Sequence, residues 1–188
     1  MILLIDNYDS FTQNLAQSVG QLNFKPIITR NDEISIQEII YLGPTHIILS
    51  PGPGKPENSG ICLDIINEYA NKIPILGICL GHQVIGHIYG GRITKLDKPM
   101  HGKISFISHD QKDIFNELET PFKASRYHSL IIDETRIPPS LEITAWTLER
   151  KIMACRHKKH KKLRGIQFHP ESFWTKEGQK IIKNFLSS

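Results

Sequence analysis

Short apolar runs alternate with segments of helical periodicity through about the first ninety residues, and this alternation limits the possible folds more than any other feature. The apolar runs at 2–5, 46–49 and 73–78 have the length and the polar or turn-forming ends of buried strands. The segments that follow them place apolar residues at helical spacing. Strands and helices in alternation predict an α/β fold, an open, twisted, mostly parallel sheet with helices on both faces.

The boundaries in this half follow from capping and turn residues. Ser10 and Gln13 have the spacing of a capping box at the start of the first helix, and Gly90-Gly91 ends the fourth. The predicted elements are strand 2–5, helix 11–19, strand 25–29, helix 34–42, strand 46–49, helix 61–70, strand 73–78 and helix 80–89.

The second half changes character, because strand-like segments follow one another with short turns between them. Such a run predicts antiparallel additions to the sheet in the C-terminal half. A closing amphipathic helix is predicted at 177–186. No linker interrupts the chain, and 188 residues fit one domain, so we predict a single domain spanning 1–188. The strand-like segments are 102–108, 122–127, 141–148, 152–156 and 165–168.

Composition excludes several classes of protein. Hydrophobic residues make up 39% and charged residues 22%, which is typical of soluble globular proteins and unlike disordered or fibrous chains. A net charge of +4 is too small to predict nucleic-acid binding. The N-terminal apolar run ends at Ile5 and is too short for a signal peptide or a membrane span. We therefore expect a protein without membrane contact, in the cytoplasm or, if an organelle encodes it, in the plastid stroma.

Cys79 stands in a setting that predicts reactivity. It lies between Gly77 and Gly81, after a strand of buried type and before a helix. This is the pattern of a nucleophile elbow, a sharp turn that holds a nucleophile at the carboxyl end of a strand and tolerates only small neighbours. The helix N-terminus favours a thiolate, and the Leu80 N–H is the natural first donor to an oxyanion. Taken alone, the motif fits a buried core cysteine equally well.

A nucleophilic thiol needs a base, and His169 is the best placed of nine histidines. It follows the strand 165–168, and Pro170 stops that strand. Glu171 is close enough to orient the imidazole through a hydrogen bond. By itself this segment fits a turn with a satisfied polar pair, but together with the elbow it favours catalysis. The turn 51–54, with two prolines and two glycines, is suited to bring a second backbone donor to a ligand.

Five motifs together resemble the class I glutamine amidotransferases. Their order and spacing match that family over essentially the whole chain. The opening motif and the segment MHGK at 100–103 narrow the resemblance to the branch that works on chorismate. The motifs are DNYDSFT at 6–12, SPGPG at 50–54, GICLGHQ at 77–83, RYHSLI at 126–131 and GIQFHPES at 165–172.

The resemblance implies a reaction and a set of site residues. Cys79 would attack the side-chain amide of L-glutamine, His169 would act as general base and acid, and Glu171 would orient His169. A γ-glutamyl thioester would form, ammonia would leave, and water would release glutamate. The N–H groups of Gly52 and Leu80 would form the oxyanion hole. The positions implied to bind glutamine are Gly52, Pro53, Gly54, Gln83, Ser129 and the backbone of Leu130.

The resemblance also implies a partner. Family members of this branch pass ammonia through a tunnel to a synthase subunit that holds chorismate and magnesium, in a heterodimer or heterotetramer. The product is anthranilate for tryptophan synthesis, aminodeoxychorismate for folate synthesis, or both. No metal or cofactor is expected in this chain itself. The segment 100–103 and the mouth of the active site are the expected docking face.

Other hypotheses remain open at this point. The same fold can serve as a non-catalytic binding module, which the intact Cys79, His169 and Glu171 disfavour. A stand-alone thiol hydrolase would be active without a partner and would not be expected to carry the DNYDSFT opening.

Several further residues have a simpler interpretation. The basic run 156–164 is predicted to be a solvated loop rather than a metal or RNA site, although it contains His157 and His160. Phe173-Trp174 is expected to touch the partner or line the pocket edge. Three widely spaced cysteines form no disulfide framework, so the two outside the elbow are predicted to be core residues, and these are Cys62 and Cys155.

Overall fold

The computed structural model describes residues 1–188, and a nine-stranded sheet forms its centre. The α-helices are α1 (Thr12–Gly20), α2 (Ile36–Leu42), α3 (Cys62–Tyr69), α4 (Leu80–Ile88) and α5 (Gly178–Leu186). Short 3₁₀ helices cover Pro56–Asn58 and Asp113–Phe115. The strands are β1 (Ile2–Asp6), β2 (Pro26–Arg30), β3 (His46–Leu49), β4 (Ile75–Ile78), β5 (Ile93–Lys95), β6 (Lys103–His109), β7 (Phe122–Arg126), β8 (Leu130–Ile132), β9 (Leu141–Thr147), β10 (Ile152–His157) and β11 (Leu163–Ile166).

The large sheet has a parallel and an antiparallel half. Its strand order is β2-β1-β3-β4-β11-β10-β9-β6-β7. The first five strands in this order run parallel to one another, and the other four are joined by antiparallel pairings. This confirms the predicted α/β fold with antiparallel additions from the C-terminal half.

The core is divided by the sheet into two layers. In β1, Ile2 and Leu4 belong to the layer under α1 and α5, whereas Leu3 and Ile5 belong to the layer under α2, α3 and α4. The alternation follows from the two-residue period of a strand. Each of these side chains is essentially buried, and burial of an aliphatic side chain contributes roughly 1.5–3 kcal/mol. None of the helices combines the length and apolar composition needed to cross a bilayer.

The position of β11 corrects one prediction. We grouped the segment 165–168 with the antiparallel additions, but β11 runs parallel to β4 and lies between β4 and β10. All four of its residues are buried, as in an interior strand covered on both faces. Gly165 pairs with Gly77 and Ile166 with Ile78, so the two strands end at the same edge of the sheet. The chain after β11 therefore emerges beside Cys79.

The start of α1 corrects another prediction. Ser10 and Gln13 form no capping box, because α1 begins at Thr12 with Phe11 at the N-cap position and no side-chain cap. Two carboxylates bond to this segment instead. Asp9 Oδ2 accepts from the Phe11 N–H at 2.8 Å, and Asp6 Oδ1 accepts from the Thr12 hydroxyl at 2.6 Å. A capping box is instead present in α2, where Ser35 and Glu38 bond reciprocally.

Two strands were missed. β5 and β8 form a separate two-stranded antiparallel sheet, and each is three residues long. Such short strands carry no readable periodicity. Most other boundaries differ from the prediction by one or two residues.

The basic run 156–164 is a loop only in its middle. Arg156 lies in β10 and Arg164 lies in β11, and both are largely buried among carboxylates. Arg164 Nη2 lies 2.6 Å from Asp113 Oδ1, and Arg156 Nη2 lies 2.9 Å from Glu142 Oε2. The prediction of a solvated loop is therefore wrong at both ends, because burial of these arginines is compensated by ion pairs from segments distant in sequence.

Candidate active site

Cys79 occupies the turn between β4 and α4 in a strained backbone conformation. Its φ is 51° and its ψ is −97°, outside the regions that an L-residue prefers. A Cβ atom at Gly77 would lie 2.4 Å from the Gly81 carbonyl oxygen, and one at Gly81 would lie 2.6 Å from the Leu49 oxygen. The predicted need for small residues on both sides of Cys79 is confirmed.

Two backbone N–H groups near Cys79 are free to donate. The N–H groups of Leu80, at the start of α4, and Gly52 donate to no other group in the protein. Gly52 reaches this place because its turn packs directly on Asn7, where an added Cβ would lie 2.4 Å from the Asn7 oxygen. Asn7 also holds the turn by donating from Nδ2 to the Ser50 oxygen at 2.8 Å. Both donors proposed for an oxyanion hole are therefore unpaired.

His169 and Glu171 form a buried pair beside Cys79. The Nδ1–H of His169 donates to Glu171 Oε1 at 2.6 Å, and both side chains are almost fully shielded from solvent. Burial disfavours the charged imidazolium, but interactions with Cys79 and Glu171 outweigh it and raise the pKa of His169 to about 10. The other ring nitrogen, Nε2, is buried and forms no hydrogen bond of standard geometry. It is the nitrogen available for proton exchange with Cys79.

Aromatic rings fix the orientation of this imidazole. The Tyr127 ring lies 5.0 Å from the His169 ring and the Phe11 ring lies 5.8 Å from it, both in edge-on arrangements. Phe11 and Tyr127 also pack on each other at 5.3 Å. Neither residue was predicted to belong to the site, although Phe11 lies in the motif at 6–12 and Tyr127 in the motif at 126–131. Nothing in the local pattern indicates that both rings meet at one histidine.

The backbone around His169 is held from the opposite side. Thr175 Oγ1 donates to the His169 oxygen at 2.7 Å and accepts from the Ser125 N–H at 3.0 Å. The N-terminus of α5 is pressed against the same loop, because a Cβ at Gly178 would lie 1.8 Å from the Pro170 oxygen. The loop therefore has little freedom to move His169 away from Cys79.

Asp9 is a third residue at this site that was not predicted from the sequence. Burial raises the pKa of its carboxyl, against a hydrogen bond from the Phe11 N–H that lowers it. Its charge acts on His169 and Glu171, so a third carboxyl group contributes to the field around the imidazole. Its place in the opening motif was the only available signal.

A cavity of about 150 Å³ opens in front of Cys79. Gln83, one turn along α4, lines it as predicted. Its Nε2 donates to the Leu130 oxygen at 2.9 Å and to Gln167 Oε1 at 3.1 Å, which leaves its Oε1 without a protein donor. The predicted residues that line the cavity are Gly52, Pro53, Gly54, Cys79, Gln83, Ser129 and Leu130, and Tyr127 and His128 complete it.

The other cysteines lie apart from this site. Burial raises the pKa of Cys62 and of Cys155 to about 12, so both remain protonated thiols in the core, as predicted. His157 and His160 stack at 4.5 Å, and His157 Nδ1 accepts from the His160 N–H at 2.8 Å. No group of three or more metal-ligating side chains is arranged to hold an ion.

The segments expected to dock a partner are exposed. Residues 101–103 lie at the surface, whereas Met100 is half-buried and its N–H donates to the His128 oxygen at 2.9 Å. Phe173 and Trp174 form an edge-on ring pair at 5.4 Å and are 88% and 58% exposed. Phe173 does not line the cavity at Cys79 but a separate polar cleft of about 420 Å³ on the outer side of Glu171.

Comparisons with known proteins agree with this geometry. The family model for class-I glutamine amidotransferases matches residues 3–188. "Anthranilate synthase component 2" of Porphyra purpurea is 61% identical, and the alignment covers 100% of both chains. "Aminodeoxychorismate/anthranilate synthase component 2" of Bacillus subtilis is 47% identical over 100% of this chain and 96% of its own length. A solved structure from Thermoplasma acidophilum, 26% identical, superposes with a TM-score of 0.86 and covers 99% of this chain and 92% of that one.

Proposed function

Because this chain belongs to the class-I glutamine amidotransferases, we propose that it is the glutaminase subunit of anthranilate synthase. It hydrolyses L-glutamine to glutamate and supplies ammonia to a chorismate-binding synthase subunit. The observation that carries the proposal is the strained Cys79 at the end of β4, beside the His169–Glu171 pair at the end of β11. The Porphyra purpurea relative of the same length bears the name of this subunit.

The first half of the reaction forms a thioester. His169 already holds the proton of the Cys79 thiol, and the Sγ thiolate attacks the side-chain amide carbon of glutamine. The developing oxyanion lies between the Gly52 and Leu80 N–H groups, which donate to no other group in the protein. The imidazolium of His169 then gives its proton to the amide nitrogen, the C–N bond breaks, and ammonia leaves.

The second half returns the enzyme to its starting state. Neutral His169 takes a proton from water, whose oxygen attacks the thioester carbon. The same two N–H groups stabilise the second oxyanion, the C–S bond breaks, and glutamate is released as the thiolate–imidazolium pair re-forms. Glu171 holds the Nδ1–H throughout, so that Nε2 always faces the reacting atoms.

The glutamine substrate is recognised by the cavity at Cys79. Gln83 Oε1, Ser129, the Leu130 backbone and the turn 52–54 surround the space that the amino-acid part of the substrate would fill. No metal or cofactor is needed for these steps, and magnesium belongs to the chorismate site of the partner. We place the complex in the cytoplasm or, if an organelle encodes the chain, in the plastid stroma.

A second candidate is the glutaminase subunit of aminodeoxychorismate synthase, or one subunit shared by both synthases. It is favoured by the Bacillus subtilis relative, whose name carries both activities. The glutamine site would be the same in all cases, because only the partner determines where the ammonia is used. A stand-alone thiol hydrolase or a non-catalytic module has no specific observation in its favour.

The test mixes the chain with each candidate synthase subunit, chorismate, magnesium and either glutamine or ammonium. We expect anthranilate from both nitrogen sources with the native chain. Cys79→Ala should lose glutamine-dependent synthesis by at least ~10³-fold and keep ammonia-dependent synthesis. Equal loss of both would contradict the proposed division of labour, and glutamine hydrolysis at full rate without any synthase would identify a stand-alone hydrolase.

A further inference from the structure

Arg126, the last residue of β7, is a buried guanidinium without a carboxylate partner. Its exposed fraction is 2%. Nη1 donates to Ser105 Oγ at 3.1 Å and Nε donates to His128 Nε2 at 3.0 Å, whereas Nη2 has no hydrogen-bond partner. Burial lowers the pKa of Arg126, which reflects the cost of a buried charge. A buried donor without an acceptor is unfavourable, and in the free chain Nη2 of this guanidinium has none.

Arg126 lines an open cavity of about 490 Å³ that is separate from the glutamine pocket. Lys98 and Lys151 line it as well, and so do Asp97 and Glu149. Lys151 is paired with Glu134, outside the cavity lining.

Glu149 lies near the guanidinium but forms no hydrogen bond with it. Interactions with its own backbone N–H and with Thr147 lower the pKa of Glu149 most, and the charge of Arg126 lowers it further. No ion pair joins it to Arg126, whose Nη2 remains unpaired. Within the chain, Arg126 Nη2 therefore has no acceptor.

A chain of hydrogen bonds leads from Arg126 to the glutamine pocket. His128 accepts from Arg126 at Nε2, and burial lowers its pKa to about 3, so the ring is neutral and its proton is on Nδ1. That Nδ1–H donates to the Leu130 oxygen at 2.9 Å, which also accepts from Gln83 Nε2 at 2.9 Å. Each hydrogen bond in this series fixes the orientation of the next group.

The outer wall of the cavity is attached to the same segment. The Met100 N–H donates to the His128 oxygen at 2.9 Å, and the Leu96 N–H donates to the Ser129 oxygen at 2.8 Å. His128 and Ser129 line the glutamine pocket on their other side. The segment 128–129 therefore lines the glutamine pocket and is hydrogen-bonded to two residues that line the cavity.

We propose that this cavity receives an aspartate or glutamate side chain of the synthase subunit, and that its pairing with Arg126 transmits docking to the glutamine pocket. The inference rests on the proposed function and deepens it. A carboxylate fits the fork of a guanidinium, and the cavity opens beside the exposed segment 101–103. A side chain carried by a docked subunit has a high local concentration, which a free anion lacks.

The experiment measures synthase affinity and the kcat and KM for glutamine in the complex. Arg126→Met should weaken synthase binding by about tenfold or more and raise the KM for glutamine. Ammonia-dependent synthesis at saturating subunit concentration should be unchanged. Arg126→Lys keeps the charge but loses the planar guanidinium and the bond to His128. Its synthase affinity and its KM for glutamine should therefore lie between those of the native chain and of Arg126→Met. Lys161→Met is the control. It removes one exposed charge from the loop before β11, at the starts of the parallel strands and away from Cys79.

A second measurement identifies the partner residue and remains informative if Arg126→Met does not fold. Acidic residues of the synthase are changed singly to their amides, and one should reproduce the loss seen with Arg126→Lys. Combined with Arg126→Lys, that change should cause no further loss, because both disrupt one interaction.

Three outcomes would overturn the inference or its premise. Native affinity and native KM in both Arg126 variants would exclude the docking role. Stimulation of the isolated chain by acetate, to the level that the synthase produces, would make the cavity a site for free anions. If none of the synthase subunits binds or stimulates the native chain, the proposed function itself is wrong.

Discussion

His169 holds its proton more tightly in the folded chain than an exposed histidine would. Its pKa of about 10 exceeds the ordinary value of 6.5 because the interactions with Cys79 and Glu171 outweigh the effect of burial. At neutral pH the imidazole is therefore charged before glutamine binds. In the proposed reaction this places a proton where the leaving ammonia needs it.

The raised pKa of His169 predicts how stability depends on pH. The folded state binds this proton more tightly, so its contribution is complete below pH 6.5 and is lost as the pH rises through about 10. Across that window the unfolding free energy of the native chain should fall more than that of His169→Gln. Denaturant unfolding at several pH values measures both. Parallel curves for the two proteins would show that the pair is not coupled as the structure indicates.

Replacement of Glu171 should cause a milder loss of catalysis than replacement of Cys79. In Glu171→Gln the carboxylate that holds the His169 Nδ1–H is replaced by an amide, which weakens the orientation and charge stabilisation of the imidazolium. We expect kcat for glutamine to fall roughly 10²–10⁴-fold with little change in KM. Steady-state glutaminase assays on the complex measure both constants. Activity equal to the native value would remove the orienting role of Glu171.

At the scale of elements, the elbow depends on the close approach of α4 to β3 and β4. The segment 77–83 predicts its own local turn, since the strand, the glycines and the helix are adjacent in sequence. The missing capping box at Ser10 shows the limit of such inference, because α1 begins at Thr12, one residue later than a cap at Ser10 requires.

Gly81 provides a test of this close approach. Gly81→Ala adds a Cβ that would lie 2.6 Å from the Leu49 oxygen, so α4 must shift although alanine favours helices. We expect a loss of about 1–3 kcal/mol in unfolding free energy, measured by chemical denaturation, together with lower glutaminase activity. Gly20→Ala is the matched control, because nothing lies within 4 Å of an added Cβ there. It should be neutral or stabilise by roughly 0.4–1 kcal/mol. Equal effects of the two changes would contradict the packing described.

At the scale of the whole molecule, a buried ionic cluster joins the C-terminal part of the chain to the sheet. Asp113 receives Arg164 at 2.6 Å and Arg156 at 3.4 Å, and Arg164 Nη1 also donates to Ser188 Oγ at 3.0 Å. The cluster therefore links β10, β11, the 3₁₀ helix at 113–115 and Ser188, two residues after α5. Arg164 lies near the start of β11 and His169 follows the end of that strand. The cluster therefore fixes the strand that leads into the site.

The cluster predicts an order of effects between two variants. Asp113→Asn leaves the buried Arg164 without a carboxylate and should cost about 3–5 kcal/mol of unfolding free energy. Arg164→Met should cost less, because Asp113 keeps Arg156 as its partner. Urea denaturation of both variants tests the order. The reverse order would mean that Arg164 acts through packing rather than through its charge.

The sequence by itself determined the elements and the identity of the reacting groups. Periodicity, capping and turn chemistry are properties of residues adjacent in the chain, so the first-half strands and helices, the turn at Cys79 and the pairing of His169 with Glu171 were readable locally. The tertiary structure alone decided that β11 lies parallel between β4 and β10, since strand pairing joins segments that no local pattern relates. It also decided which rings hold His169, which guanidinium is left unpaired, and how far burial moves each pKa. These depend on the packing of distant segments against one another, which is where the low dielectric and the precise distances of the site arise.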